Sequence, residues 1–227
     1  GKLVAENGKT RIESLRPEAI NNFSCELVSK ADIQFHANVE KENVLVIEAI
    51  DGQLITNKIS QSAGQLKSSA NDLLLGSNPG IDILKIVVVN RYVPAKPAIS
   101  FIKNFGLKKG ALASSVAHDS HNIVAVGADD ENICKAINKV IEHKGGVSFV
   151  NGDKEMIVPL PIAGLMSNED GYKIARQYSL IDKAVKEEGC SLFSPFMTLS
   201  FMALLVIPHL KLSDLGLFDG DKFELIH

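Results

Sequence analysis

The 227-residue sequence lacks several features that would assign it at once to a common class of protein. Its formal net charge of -3 leaves no basic excess, which an electrostatic nucleic-acid binder would show. The longest apolar run, residues 201–208, is far shorter than the roughly 20 residues of a transmembrane helix. Residues 1–11 lack the apolar segment of a secretory signal peptide. We therefore expect neither a nucleic-acid-binding protein nor a membrane protein.

Cysteine is scarce, and the motifs of several common enzyme classes are missing. Cys25, Cys134 and Cys190 are odd in number and widely spaced, which favours reduced thiols in a cytoplasmic protein. None has the histidine partner or the helix N-terminus that activates a thiolate. The chain contains no Gly-x-Ser-x-Gly, no Cys-x-x-Cys, no glycine-rich phosphate loop and no His-x-His.

The apolar patterns that are present predict a mixture of strands and helices. The clearest helix spans residues 129–144, where apolar side chains recur with a 3.6-residue period. Two more helices are predicted to begin at Ser167 and at Ser194. The predicted strands are residues 32–37, 44–50, 53–59, 83–89, 98–105 and 111–116. Because these elements do not form a strict βαβ repeat, the fold class is α+β or mixed α/β.

Short polar segments mark the turns between these elements. Asn7-Gly8 lies between two apolar runs and predicts a hairpin, since both positions of a type I′ turn need a positive φ. Residues 151–153 predict a second hairpin, which joins residues 147–150 to residues 155–158. Residues 60–69 are polar and predict a surface loop.

Five consecutive polar residues lie between two runs that are typical of strands and form the polar loop: His118, Asp119, Ser120, His121 and Asn122. Loops on rigid strands often carry chemistry. A metal site is one interpretation, but histidines at this spacing on strands point to opposite faces, and no further ligand cluster follows. The others are a structural turn held by local hydrogen bonds, and a functional loop that meets something outside this chain.

Two further residues are candidates for binding. Arg91 follows a buried strand, where it could hold an anion or a carboxylate. The alternative is that Arg91 forms a surface salt bridge and Tyr92 is a residue of the rim. His209 lies between apolar neighbours and reads as a core or interface histidine.

Residues 116–123 (Val-Ala-His-Asp-Ser-His-Asn-Ile) resemble the signature of the C-terminal domain of bacterial adenine deaminases, members of the amidohydrolase superfamily. Three further segments agree with that family in the expected order. They are residues 106–113, residues 160–167, and residues 206–212 continuing to 216–219. The resemblance runs from Gly1 to about residue 223 and is weaker between residues 8 and 85.

This resemblance implies a domain organisation and an enzyme. Residues 1–52 would be the end of the small β-sandwich domain that flanks a catalytic barrel, and residues 53–227 the C-terminal adenine deaminase domain. The chain is then expected to be the C-terminal piece of a cytoplasmic purine-salvage enzyme that hydrolyses adenine to hypoxanthine and ammonia. A divalent metal, manganese or iron, would be bound by the barrel, which this sequence lacks. No metal ligand and no catalytic residue is expected in this chain, which should be inactive alone.

The implied partners are the chain's own catalytic barrel, adenine as substrate, and further copies in a homo-oligomer. The preferred role of the polar loop is a lid or wall at the barrel mouth, which orients adenine or excludes water. Its side chains offer the donors and acceptors that adenine needs. The alternative is a non-catalytic packing or dimerisation domain, whose polar loop caps an interface.

Overall fold

The computed structural model describes residues 1–13, 18–37, 42–67 and 73–226. Within these ranges the strands are β1 (Ala5–Glu6), β2 (Lys9–Thr10), β3 (Phe35–His36), β4 (Asn43–Ala49), β5 (Thr56–Ser62), β6 (Leu74–Leu75), β7 (Ile83–Val89), β8 (Ala98–Lys103), β9 (Ala111–Ser114), β10 (Ile123–Gly127), β11 (Gly146–Asn151), β12 (Lys154–Pro159), β13 (Leu210–Ser213), β14 (Gly216–Asp219) and β15 (Glu224–Leu225). The helices are α1 (Asp130–Glu142), α2 (Gly171–Glu187) and α3 (Pro195–Ser200), with a 3₁₀ turn at Ala63–Leu66.

One mixed sheet organises the fold, with strand order β12-β11-β9-β10-β7-β8-β4-β5. Its neighbours are antiparallel except for β4 and β8, which run parallel. Both faces of β7 are buried: Ile86 and Val88 pack on the side of α2 and α3, and Val87 and Val89 on the side of α1. The predicted α+β class is confirmed, and the central strands are held rigidly from both sides.

Capping side chains fix the starts of α1 and α2, and a proline marks the start of α3. Asp129 caps α1 by accepting the backbone N–H of Asn132 at 2.9 Å, which confirms the clearest predicted helix. Helix α3 begins at Pro195, directly after Ser194, as predicted. The predicted start of α2 at Ser167 is wrong, because Asp170 supplies the cap by accepting the N–H of Lys173 at 3.0 Å.

Local hydrogen bonds explain where the strand predictions succeed and fail. Asn7 and Gly8 have φ of 48° and 73°, so the predicted hairpin is confirmed. The hairpin of β11 and β12 is also confirmed. The strand predicted over residues 32–37 shortens to β3, because the Asp32 carboxylate accepts from the Ser29 N–H and hydroxyl and forms a turn.

The residues around the predicted domain boundary lie in one sheet. Strand β4 precedes residue 52 and pairs along its whole length with β5, which follows it. Strand β5 extends to Ser62, so the loop predicted over residues 60–69 begins later, and residues 68 and 69 lie outside the described residues. The division of the chain at residues 52 and 53 stays a prediction.

A buried lysine links the sheet to α1 and gives a first testable prediction. Lys85 is 1% exposed, and its Nζ donates to Asp130 Oδ1 at 2.6 Å and to Ile33 O at 2.9 Å. Asp130→Asn should lower the free energy of unfolding by about 1–3 kcal/mol, because it leaves a buried ammonium group without its charge partner. Urea unfolding of Asp130→Asn measures this loss. The control is Asp153→Asn, a change in an exposed turn. Equal midpoints for the two variants would contradict it.

Candidate functional site

The polar loop connects two central strands of the sheet. Strands β9 and β10 pair antiparallel, and the pair nearest the loop is Ser114 with Val124. Every residue of both strands is buried. The loop is fixed at its start and end by backbone hydrogen bonds. The N–H of His118 donates to the carbonyl of Ser200 at 2.9 Å, and the N–H of His121 to that of Ala117 at 2.6 Å. Two buried inner strands therefore hold the loop at their ends.

His118 connects the polar loop to an apolar part of the surface. Its ring stacks on Phe201, with centroids 4.9 Å apart and an interplanar angle of 23°. Phe201 also lines what we call the apolar groove, together with Leu54, Phe193 and Met197. Phe193 is 83% exposed and Met197 54% exposed. The imidazole of His118 thus borders an apolar surface that the described residues leave uncovered.

His121 is the second imidazole of the loop. It has a φ of 54°, and its ring centroid is 6.0 Å from that of His118. Its Nδ1 is buried and has no hydrogen-bond partner among the described residues. Burial lowers the pKa of His121, as do the nearby His118 and Arg91, while Asp119 acts in the opposite direction. A neutral imidazole with a free ring nitrogen is the result near neutral pH.

Arg91 and Tyr92 lie directly behind the polar loop. Arg91 is 4% exposed, and its guanidinium carbon is 4.8 Å from the ring centroids of both Phe23 and Tyr92. Its Nη2 donates to the Tyr92 hydroxyl at 3.0 Å, and that hydroxyl donates to the carbonyl of Ser120 at 2.8 Å. Nε and Nη1 are buried without a hydrogen-bond partner among the described residues. The predicted surface salt bridge is therefore wrong; a bound anion stays a prediction.

The five residues of the polar loop do not share one environment. Asn122 is 3% exposed, and its Oδ1 accepts the backbone N–H of Arg91 at 3.3 Å, so its side chain faces inward. Asp119 and Ser120 are exposed, and His118 and His121 are half-buried. The structure thus brings two imidazoles and one carboxylate to the surface together. Whether these groups meet a substrate stays a prediction.

The remaining candidates offer no second site. Within the described residues, no three His, Cys, Asp or Glu side chains are grouped so that they could hold a metal ion. His209 is not a core histidine, since its side chain is 45% exposed and its Nδ1 lies 2.6 Å from Asp221 Oδ1. All three cysteines are free, and burial raises the pKa of Cys134 and Cys190 to about 11. Among the described helices, none combines the length and apolar character needed to cross a bilayer.

Known proteins resemble this chain in sequence, and their family agrees with the motifs described above. The profile of the family described as adenine deaminase C-terminal domain matches residues 53–224. The adenine deaminase of Sulfurovum sp. (strain NBC37-1) is 47% identical over 229 residues, which cover 100% of this chain and 40% of the relative. That of Salinibacter ruber is 46% identical over 228 residues, with coverages of 100% and 40%. That of Methanosarcina barkeri is 44% identical over 232 residues, with coverages of 100% and 41%. The chain spans about two-fifths of the length of these curated relatives.

Proposed function

This chain belongs to the adenine deaminase C-terminal domain family, and we propose that it forms the C-terminal part of an enzyme that hydrolyses adenine to hypoxanthine and ammonia. We call that protein the full-length enzyme. Its catalytic barrel and adenine are the partners of this domain, and further copies of the chain complete a homo-oligomer. The proposal includes a role in purine salvage in the cytoplasm.

Within the full-length enzyme, the polar loop lines the adenine site. The observation that carries this role is the pair of half-buried imidazoles. His118 stacks on Phe201, and the Nδ1 of His121 has no partner within the described ranges. Small-molecule sites combine apolar walls with a few polar groups that fix orientation. Adenine has flat apolar faces and a rim of ring nitrogens and an amine. The apolar groove beside His118 provides the surface that a neighbouring domain covers.

The resemblance to amidohydrolases implies a divalent metal, manganese or iron, held by the barrel of the full-length enzyme. The described residues of this chain do not fit that metal, because they contain no group of three ligands. We therefore assign no step of the hydrolysis to this chain. Its groups bind and orient the purine and keep water away from the site.

A second candidate function is a packing or dimerisation domain. The observation that favours it is the exposure of Phe193 and Met197 in the apolar groove, since exposed apolar surface often marks an interface. In that case the polar loop would cap an interface and its side chains would not affect turnover.

His118→Phe in the full-length enzyme separates the two functions. Phenylalanine keeps an aromatic ring against Phe201 but removes the imidazole nitrogens. If His118 forms a hydrogen bond with adenine, kcat/KM for adenine should fall about 3- to 30-fold at an unchanged melting temperature. The matched control is His143→Phe, at an exposed position at the end of α1. Kinetics equal to the control, with a changed sedimentation coefficient, would support the packing domain instead.

A further inference from the structure

The pairing of β7 with β10 brings two distant segments together. Val89 at the end of β7 is the register partner of Ile123 at the start of β10. The chain beyond Val89 therefore lies beside the chain before Ile123. Arg91 and Tyr92 meet the polar loop for this reason, although about 30 positions separate them in the sequence.

Two hydrogen bonds fix the loop to this segment, and a third, within the segment, supports one of them. The Tyr92 hydroxyl donates to the carbonyl of Ser120 at 2.8 Å and accepts from Arg91 Nη2 at 3.0 Å. The backbone N–H of Arg91 donates to Asn122 Oδ1 at 3.3 Å. On the two sides of His121, Ser120 is thus tied to Tyr92 and Asn122 to Arg91. This matters because His121 has a positive φ, which is an uncommon conformation for a histidine.

The guanidinium that supports Tyr92 is itself immobilised. The rings of Phe23 and Tyr92 lie on it, and the N–H of Ser24 donates to the carbonyl of Arg91 at 2.8 Å. Gly164 packs so closely that a Cβ there would overlap Arg91 Nη1. An enclosed, fixed donor defines one position for the Tyr92 hydroxyl and hence for the loop carbonyl.

From these contacts we infer that Arg91 and Tyr92 are positioning residues, which hold the polar loop in the conformation that presents His121 to the substrate. The inference rests on the function proposed above, and it adds residues that lie outside the loop. Neither side chain touches the substrate. The two side chains act through the carbonyl of Ser120, while the backbone N–H of Arg91 holds Asn122.

Arg91 also sets the charge around His121. The titratable and charged groups near that ring are His118 and Asp119 in the loop and Arg91 and Tyr92 behind it. Burial, His118 and the guanidinium of Arg91 lower the pKa of His121. Removing the guanidinium charge should raise this pKa, so that His121 becomes protonated at a higher pH. A residue with a purely structural role would not move the pH profile in this way.

The test uses four variants of the full-length enzyme, with kcat, KM and the pH profile of kcat/KM for adenine as readouts. Tyr92→Phe should lower kcat/KM about 3- to 10-fold with an unmoved profile, because one neutral hydrogen bond is lost and no charge changes. Arg91→Met should lower kcat/KM further and move the acid limb of its pH profile to higher pH. Arg91→Lys should restore the position of the acid limb but not the rate, since lysine lacks the planar fork. Tyr172→Phe, at a tyrosine on α2 that is 79% exposed, is the matched control.

The outcomes separate the two proposals. If Tyr92→Phe matches Tyr172→Phe while His118 and His121 variants lose activity, the positioning inference is wrong and the proposed function survives. If all loop variants keep normal kinetics, the proposed function fails first. Identical pH profiles for Arg91→Met and Arg91→Lys would overturn the role of the charge. Should Arg91→Met not fold, Tyr92→Phe alone decides the inference.

Discussion

Replacing His121 with asparagine in the full-length enzyme should lower kcat/KM for adenine about 10- to 100-fold without unfolding the protein. The reason is the unpartnered, buried Nδ1 of His121, which the described part of the chain leaves available to a substrate. Losing a buried hydrogen bond, and leaving its partner unsatisfied, costs about 1–3 kcal/mol. Asparagine is the substitution of choice because it tolerates the positive φ of this position better than alanine.

The pH profile provides a second measurement of the same variant. Burial and the neighbouring His118 and Arg91 lower the pKa of His121, so its neutral form persists to a lower pH than that of an ordinary histidine. Activity that depends on the neutral ring should therefore fall only below that lowered pKa. In His121→Asn this limb should disappear. The control is His143→Asn, which changes an exposed histidine at the end of α1. A His121→Asn enzyme with the kinetics of this control would show that turnover does not need the imidazole of His121.

Local sequence signals predicted the elements that local physics determines. Helix α1 follows from its Asp129 cap and its apolar period, and the first hairpin from Asn7 and Gly8. The polar loop could be located between two strands because short runs rich in apolar residues flank it on both sides. These features depend on residues within a few positions of one another. They could therefore be found without knowing which strands pair.

The surroundings of the loop could not be predicted in the same way. Arg91 meets the loop only because β7 pairs with β10, a register that no short motif specifies. Its burial runs against the usual exposure of arginine. Phe23, far earlier in the chain, covers the guanidinium. The inward direction of the Asn122 side chain also depends on the pairing of β7 with β10, since its Oδ1 accepts the backbone N–H of Arg91.

Gly164 supplies the most direct test of this arrangement. It has a φ of 70°, and a Cβ at this position would overlap Arg91 Nη1 and lie 3.1 Å from Phe23 Cε2. The guanidinium cannot simply swing away, because the rings of Phe23 and Tyr92 enclose it. Gly164→Ala should therefore displace Arg91 and break its bond to the Tyr92 hydroxyl.

The expected loss of unfolding free energy for Gly164→Ala is about 2–5 kcal/mol. Roughly 1–2 kcal/mol comes from placing alanine in the left-handed region, and the rest from overpacking a filled space. Gly152→Ala is the matched control, since Gly152 has a φ of 60° and no atom within 4 Å of its added Cβ. The difference between the two variants in urea unfolding isolates the close contacts with Arg91 and Phe23. In the full-length enzyme, Gly164→Ala should also reduce kcat/KM, at least as much as Tyr92→Phe, because the loop loses the same support. Equal unfolding free energies for the two glycine variants would show that Arg91 is free to move, and its enclosure could then not be what positions the loop.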